Sequence, residues 1–289
     1  ESQVIPWKAG NDNGAPPRTT NASLMEIGSV ILAVRACLDG KHGRVFASLS
    51  EEEERRFCNC LFDGADLEPL SYSGYPLKPY VRLIAHRLYE WSSRCVYDDT
   101  PPSPPPPITG LLEVPEFHSS LALVWSSLCI FASRWNDFVP EQSMLNLLRS
   151  IGPRGVLTIL GLRQTKGSTC TLPPARELLI QSFNLPSGPK EPLTVGARAW
   201  TKHYHRSSDG WWGKPKGNDV AKNIQATEVL NRILHDAVWV NLHLLPGELE
   251  MVEVRTVEGY GARWTADGLQ FRGFLEPTTT DGHEKGWRH

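Results

Sequence analysis

The residue types able to move protons or hold an anion gather after position 240: His243, Glu253, Arg255, Arg263, Arg272, His283 and His289. Strand-like alternation decides which of them share a face. In the stretch 238–245, VWVNLHLL, Val238, Val240, Leu242 and Leu244 fall on one side, and Trp239, Asn241 and His243 on the other. In 249–257, Val252, Val254 and Thr256 alternate with Met251, Glu253 and Arg255. A three-residue loop, 246–248, sets Leu245 opposite Leu249. It then pairs Asn241 with Glu253, Trp239 with Arg255 and His243 with Met251. A two-residue loop would put Val240 opposite Glu253 and mix the faces. Burial of one face selects the first arrangement.

A two-residue Asp267-Gly268 turn predicts a second hairpin, with Trp264 opposite Phe271 and Arg263 opposite Arg272. Two guanidinium groups face to face require an anion between them. That anion is either Glu253 or Glu276 in a structural ion-pair network, or a bound phosphate or carboxylate, which the guanidinium fork suits. The first option makes the protein a non-catalytic interaction or scaffold protein. The second makes it a hydrolase or group-transfer enzyme. There His243, Glu253, His283 and His289 are the catalytic candidates, since an opposed Glu/His pair suits acid–base work near neutrality. Arg255, Arg263, Arg272, Asn241 and Trp264 would bind a phosphorylated or carboxylated ligand. A zinc version would use three histidines and a carboxylate. No HExxH or comparable spacing supports it, so no cofactor and no metal ligand are expected. Cys58-Asn59-Cys60 resembles half a metal site, but the sequence holds no second half.

These candidates need a scaffold. Four strand-like stretches, 238–245, 249–257, 261–265 and 269–275, are separated by Pro246-Gly247, Glu258-Gly259-Tyr260 and Asp267-Gly268. They predict an antiparallel meander packed on helices. Helical patterning covers 194–206 and a stretch capped by Asp219 that runs to about Asp236. Upstream it covers 23–38, 78–94, 117–135, 141–151 and 172–183. Ser50 with Glu53 forms a capping box, which explains the run Glu51 to Glu54 as a helix start. Gly152-Pro153-Arg154-Gly155 breaks the 141–151 helix. The run YDDTPPSPPPP, 97–107, reads as a semi-rigid spacer or ordered loop. The expected class is α+β: a largely helical N-terminal two thirds, then the meander. The expected organisation is a flexible arm over 1–22, a helical segment over 23–96, the proline-rich 97–107, and 108–289 packed with 23–96 as one domain.

Composition narrows the partners. The chain has 289 residues, 40% hydrophobic and 21% charged, enough for a sizeable core. A net charge of −2 disfavours nucleic acid as a general partner and leaves a small anionic ligand or a protein. The longest apolar run, 121–132, is too short for a membrane span, so no membrane partner is expected. Six scattered cysteines and no leader-like N-terminus point to an intracellular protein, cytoplasmic or nuclear. No Rossmann glycine fingerprint, phosphate loop, kinase signature or GxSxG elbow is present.

The stretch 193–289 carries KHYHRSSDGWWG, GYGARW and FRGFLEP…DGHEKGWRH. It resembles the C-terminal part of an uncharacterised eukaryotic family of fungi and plants. The resemblance implies that the last third is a coherent module and assigns no catalytic residue.

Overall fold

The computed structural model describes residues 27–39, 43–64, 73–97, 100–134, 140–207 and 209–278. Its class is α+β. Among the described residues, eight α-helices precede a four-stranded antiparallel sheet of order β1-β2-β3-β4.

Five helices form the N-terminal part: α1 (Ile27–Leu38), α2 (Glu51–Phe62), α3 (Tyr80–Tyr97), α4 (Pro115–Arg134) and α5 (Pro140–Ile159). Helices α1, α3, α4 and α5 pack on one another, and α2 packs on α3. The capping box stands as expected: Ser50 accepts from the Glu53 amide and Glu53 accepts from the Ser50 amide. Glu54 turns inward and accepts from the Val45 and Phe46 amides at 2.6 and 3.0 Å, which holds its carboxyl below the usual range despite burial. The break at Gly152 is real, with φ 65°, but helical winding resumes beyond it to Ile159. Proline at 153 lacks an amide hydrogen and so suits the first turn of the resumed helix.

The C-terminal part contains α6 (Arg176–Phe183), α7 (Val195–His203), α8 (Asp219–His235), and strands β1 (Ala237–Leu245), β2 (Leu249–Thr256), β3 (Gly261–Thr265) and β4 (Phe271–Leu275). Thr194 caps α7 through the Ala197 amide. Asn218, not Asp219, caps α8 through the Ala221 amide, and Asp219 is the first helical residue. One face of the sheet presents Val240, Leu242, Val252, Val254, Ala262, Trp264, Phe271 and Phe274, all buried. Helix α8 packs on β2 and β3, and α6 and α7 on β4. Helix α7 lies close to α6 because Gly196 faces the Phe183 ring, where a Cβ would clash with three ring atoms.

The first hairpin has the expected register: Leu245 opposite Leu249, Leu242 opposite Val252, Val240 opposite Val254. The second does not. Trp264 does face Phe271, with ring centroids 5.4 Å apart, but Arg263 faces Gly273. The ladder shifts by one residue between Arg263 and Trp264, which leaves Arg272 unpaired in a β-bulge. Gly273, at φ 139°, supplies the backbone freedom that the bulge requires.

The free edge of β1 is not exposed to solvent. Arg163 and Thr169 amides donate to the Val240 and Leu242 carbonyls, and the Leu244 amide donates to Gly167. The segment 163–169 therefore completes the edge, one of the ways proteins guard against edge-to-edge pairing. No described helix is long and apolar enough to cross a membrane.

Candidate active site

The face of the sheet opposite the helices carries the polar side chains, with the buried Trp239 and Met251 among them. Its rows follow from the register: Asn241–Glu253–Arg263 across β1, β2 and β3, Trp239–Arg255–Gly261 on one side, and His243–Met251–Thr265 on the other. The strand alternation that buries Val240, Leu242, Val252 and Val254 on the helices necessarily turns these side chains the other way.

Glu253 is the centre of the face. It is 7% exposed and accepts from Arg255 Nε at 2.6 Å. Arg255, 4% exposed, also donates through Nη1 to the Gly259 and Glu276 carbonyls at 2.6 and 2.8 Å. Those bonds tie the β2–β3 turn to the end of β4. Arg255 is thus satisfied by the protein itself. Arg263 is different. It lies directly across from Glu253, is half-buried, and its buried Nε has no hydrogen-bond partner among the described residues. A guanidinium N–H held out of water without an acceptor is costly, and an incoming anionic oxygen would relieve that cost.

His243 is half-buried one step along from Asn241, with Nδ1 buried and unpartnered among the described residues. Burial lowers its pKa below the ordinary 6.5. The Glu253 charge opposes the shift, and the Arg263 and Arg255 charges add to it. His243, Glu253, Arg263 and Arg255 therefore share one electrostatic neighbourhood.

Asn241, 2% exposed, accepts from Ser168 Oγ at 2.7 Å and donates to Thr165 Oγ1 at 2.9 Å. It pins the 163–169 segment over the face. Beside it, the fully buried Arg163 pairs with Glu113, donates to the Pro106 and Val238 carbonyls, and lies 4.8 Å from the Trp239 ring. The proline-rich segment follows: Ile108, 4% exposed, packs beside Gly259 and Pro277, and Thr278 donates to the Thr109 carbonyl. Arg163 and the stretch around Ile108 therefore cover the Trp239–Arg255 end of the polar face, and the rest of the 163–169 segment runs along β1 to His243.

Among the expected site residues, the structure brings Asn241, His243, Glu253, Arg255 and Arg263 together. It separates the other two described ones. Arg272 sits in the bulge, exposed, and does not oppose Arg263. Trp264 lies fully buried on the apolar face, so it takes no part in the polar one. His283 and His289 lie outside the described residues. No group of three or more His, Cys, Asp or Glu suited to a metal occurs among the described residues.

A second polar group escaped the sequence reading. His203 closes α7 with its Nε2 2.6 Å from Glu276 Oε1, which also accepts from Trp212 Nε1 at 2.8 Å. The Glu276 carboxylate therefore serves this pair, and only its backbone carbonyl serves Arg255 of the sheet. Trp211 stacks on Tyr260 at 4.4 Å, Arg232 lies 3.9 Å over the Trp211 ring, and Tyr260 donates to Asp209 at 2.9 Å. The clue was the adjacent pair Trp211-Trp212 in a glycine-bounded loop, which is too apolar for a solvated turn.

Residues 184–276 match the family model of the CdiA C-terminal tRNase toxin domain. That span opens at the end of α6, closes just past β4, and holds α7, α8, the whole sheet and all seven described candidates. It covers about a third of the chain. No curated protein and no solved structure matches the chain. The match overturns two expectations. The C-terminal third is similar to a tRNase toxin domain, not to an uncharacterised family of fungi and plants. The exclusion of nucleic acid as a partner also falls. Its physical error was to read a net charge of −2 as uniform. Residues 192–218 hold five Lys and Arg against one acid.

Proposed function

We propose that the C-terminal module is a ribonuclease that cleaves tRNA on the polar face of the sheet. What carries this reading is the coincidence of the match with the element set that assembles His243, Glu253 and Arg263. The hydrolase expectation read from the Glu/His pair is compatible with it at the level of reaction class.

The groups suit an internal phosphoryl transfer. The ribose 2′-oxygen attacks the adjacent phosphorus, the bond from phosphorus to the 5′-oxygen breaks, and a 2′,3′-cyclic phosphate and a 5′-hydroxyl result. Glu253 takes the 2′-hydroxyl proton, and protonated His243 gives a proton to the departing 5′-oxygen. Arg263 donates to a non-bridging phosphate oxygen, and its charge offsets the negative charge that builds there. Arg255 and Asn241 are positioning residues: the first holds the Glu253 carboxylate, the second holds the 163–169 segment. A bound phosphate also cancels part of the arginine charge that depresses His243, so substrate itself favours the protonated donor.

The scaffold reading finds its support at Arg255, whose hydrogen bonds close on protein groups alone. It does not account for Arg263. The test is cleavage of deacylated tRNA followed on a denaturing gel. Arg263→Ala is expected to lose at least a hundredfold in rate, and Arg272→Ala to stay within about twofold of the unaltered protein. Equal rates for the two variants would remove Arg263 from the chemistry.

A further inference from the structure

The sheet face accounts for one phosphate, yet tRNA presents a long row of them. The only strongly basic run in the 184–276 module is 198–216, with Arg198, Lys202, Arg206, Lys214 and Lys216 and a single acid, Asp209. All five basic side chains are exposed, and none enters an ion pair among the described residues. Their spacing is set by the fold. Helix α7 buries Gly196, Ala197, Trp200 and His203, so Arg198 and Lys202, four apart, share its outer face, and Arg206 follows in the 3₁₀ turn Tyr204–Arg206.

The loop beyond is anchored by aromatic packing. Trp212 is fully buried, with its ring 4.8 Å from that of His203, and its carbonyl accepts from Trp200 Nε1 at 2.9 Å. Trp211 is held between Tyr260 and Arg232. Asp209 accepts from the Trp211 amide at 3.0 Å and from Tyr260. Gln225 of α8 clamps the Lys216 backbone through both its amide and its carbonyl. The one acid of the run is thus spent on fixing the loop, and the lysines and arginines are left to solvent.

The anchor also sets where the run lies. Tyr260 belongs to the β2–β3 turn, whose Gly259 carbonyl accepts from Arg255 on the polar face. The loop of the run is therefore anchored beside the β2–β3 turn, and Arg198 and Lys202 lie on the outer face of α7, in the helix layer.

We propose that Arg198, Lys202, Arg206, Lys214 and Lys216 form a docking surface for the RNA phosphate backbone on the helix side of the module, reaching the sheet at the β2–β3 turn. This rests on the ribonuclease reading and adds where the body of the substrate is held. Phosphate contacts of this kind supply affinity and a steep salt dependence without base recognition.

The experiment measures tRNA binding by fluorescence anisotropy over 50–200 mM salt, with His243→Ala as the background that prevents turnover. In that background Arg206→Ala/Lys214→Ala/Lys216→Ala is expected to weaken binding at least tenfold. It should also lower the slope of log affinity against log salt by about two to three. A control triple in exposed positions elsewhere, Arg55→Ala/Arg134→Ala/Lys190→Ala, is expected to leave the slope unchanged. Cleavage of tRNA by the unaltered chain is scored separately. Cleavage together with an unchanged slope in the 206/214/216 triple overturns the docking surface and leaves the ribonuclease standing. A reduced slope without cleavage supports the surface and defeats the ribonuclease. Equal slope changes in both triples also overturn the surface, since they would report net charge alone.

Discussion

His243 is where pH enters the proposed chemistry. Burial and the Arg263 and Arg255 charges push its pKa below 6.5, and Glu253 opposes them. A proton donor must be protonated, so kcat/KM on RNA is expected to fall as pH rises through a midpoint below 6.5, and to be greater at pH 5.5 than at pH 7.5. A pH–rate profile that instead rises over this range would make neutral His243 the base and reverse the two roles. Arg255 and Arg263 separate at the same scale. Removing Arg255 leaves the Glu253 carboxylate buried without its partner, which typically costs about 3–5 kcal/mol. Arg255→Ala is therefore expected to lower thermal stability by several degrees in a melting scan. Arg263→Ala takes away a group that is itself under-satisfied, and its melting temperature should change little while activity falls. Among these residues, Asn241, His243, Glu253 and Arg255 were legible from alternation, because a two-residue period with one buried face admits a single register. Arg272 was not. A bulge inserts one residue without changing the turn motif that precedes it, and only the glycine at 273 hinted at it.

At the scale of elements, the C-terminal module depends on how closely α6 and α7 approach β4. Phe183 of α6 lies against Phe271 and Phe274, with ring centroids at 4.9 and 5.9 Å, and Gly196 gives it room. Gly196→Ala forces a methyl group into that ring, and overpacking of this kind costs about 1–3 kcal/mol. The expected readout is a lower midpoint in urea with an unchanged slope. An unaltered midpoint would mean that α6 can slide without cost. The helices and strands themselves were readable from caps, periodicity and turn residues: Ser50 with Glu53, Thr194, Pro246-Gly247 and Asp267-Gly268 each mark a boundary the structure keeps. The 163–169 edge segment was not readable, since it pairs through backbone groups and has no strand pattern of its own. Nor was the Arg163–Glu113 pair, whose partners are 50 residues apart and meet only after folding.

At the scale of the molecule, the N-terminal two thirds and the proline-rich segment are more than a platform. Arg163 and Ile108 cover the Trp239–Arg255 end of the polar face, so an RNA bound on that face as proposed would share the end with them or move them. Loosening this cover through Ile108→Gly is expected to raise kcat/KM on tRNA a few-fold and to speed hydrogen exchange at the Arg163, Thr169 and Leu244 amides, which join the cover to β1. A slower enzyme with the same exchange pattern would instead make the cover part of the substrate site. Charge is uneven at this scale too: in a chain of net charge −2, α7 and its following loop carry five Lys and Arg against one acid. The central claim remains that the sheet face cleaves RNA with its own Glu, His and Arg. The most direct measurement is mass spectrometry of the ends produced when the protein is incubated with tRNA. The account predicts 2′,3′-cyclic phosphate and 5′-hydroxyl ends, absent with His243→Ala and with Glu253→Gln. Intact tRNA, or 5′-phosphate ends, or ends that persist in both variants, would contradict it.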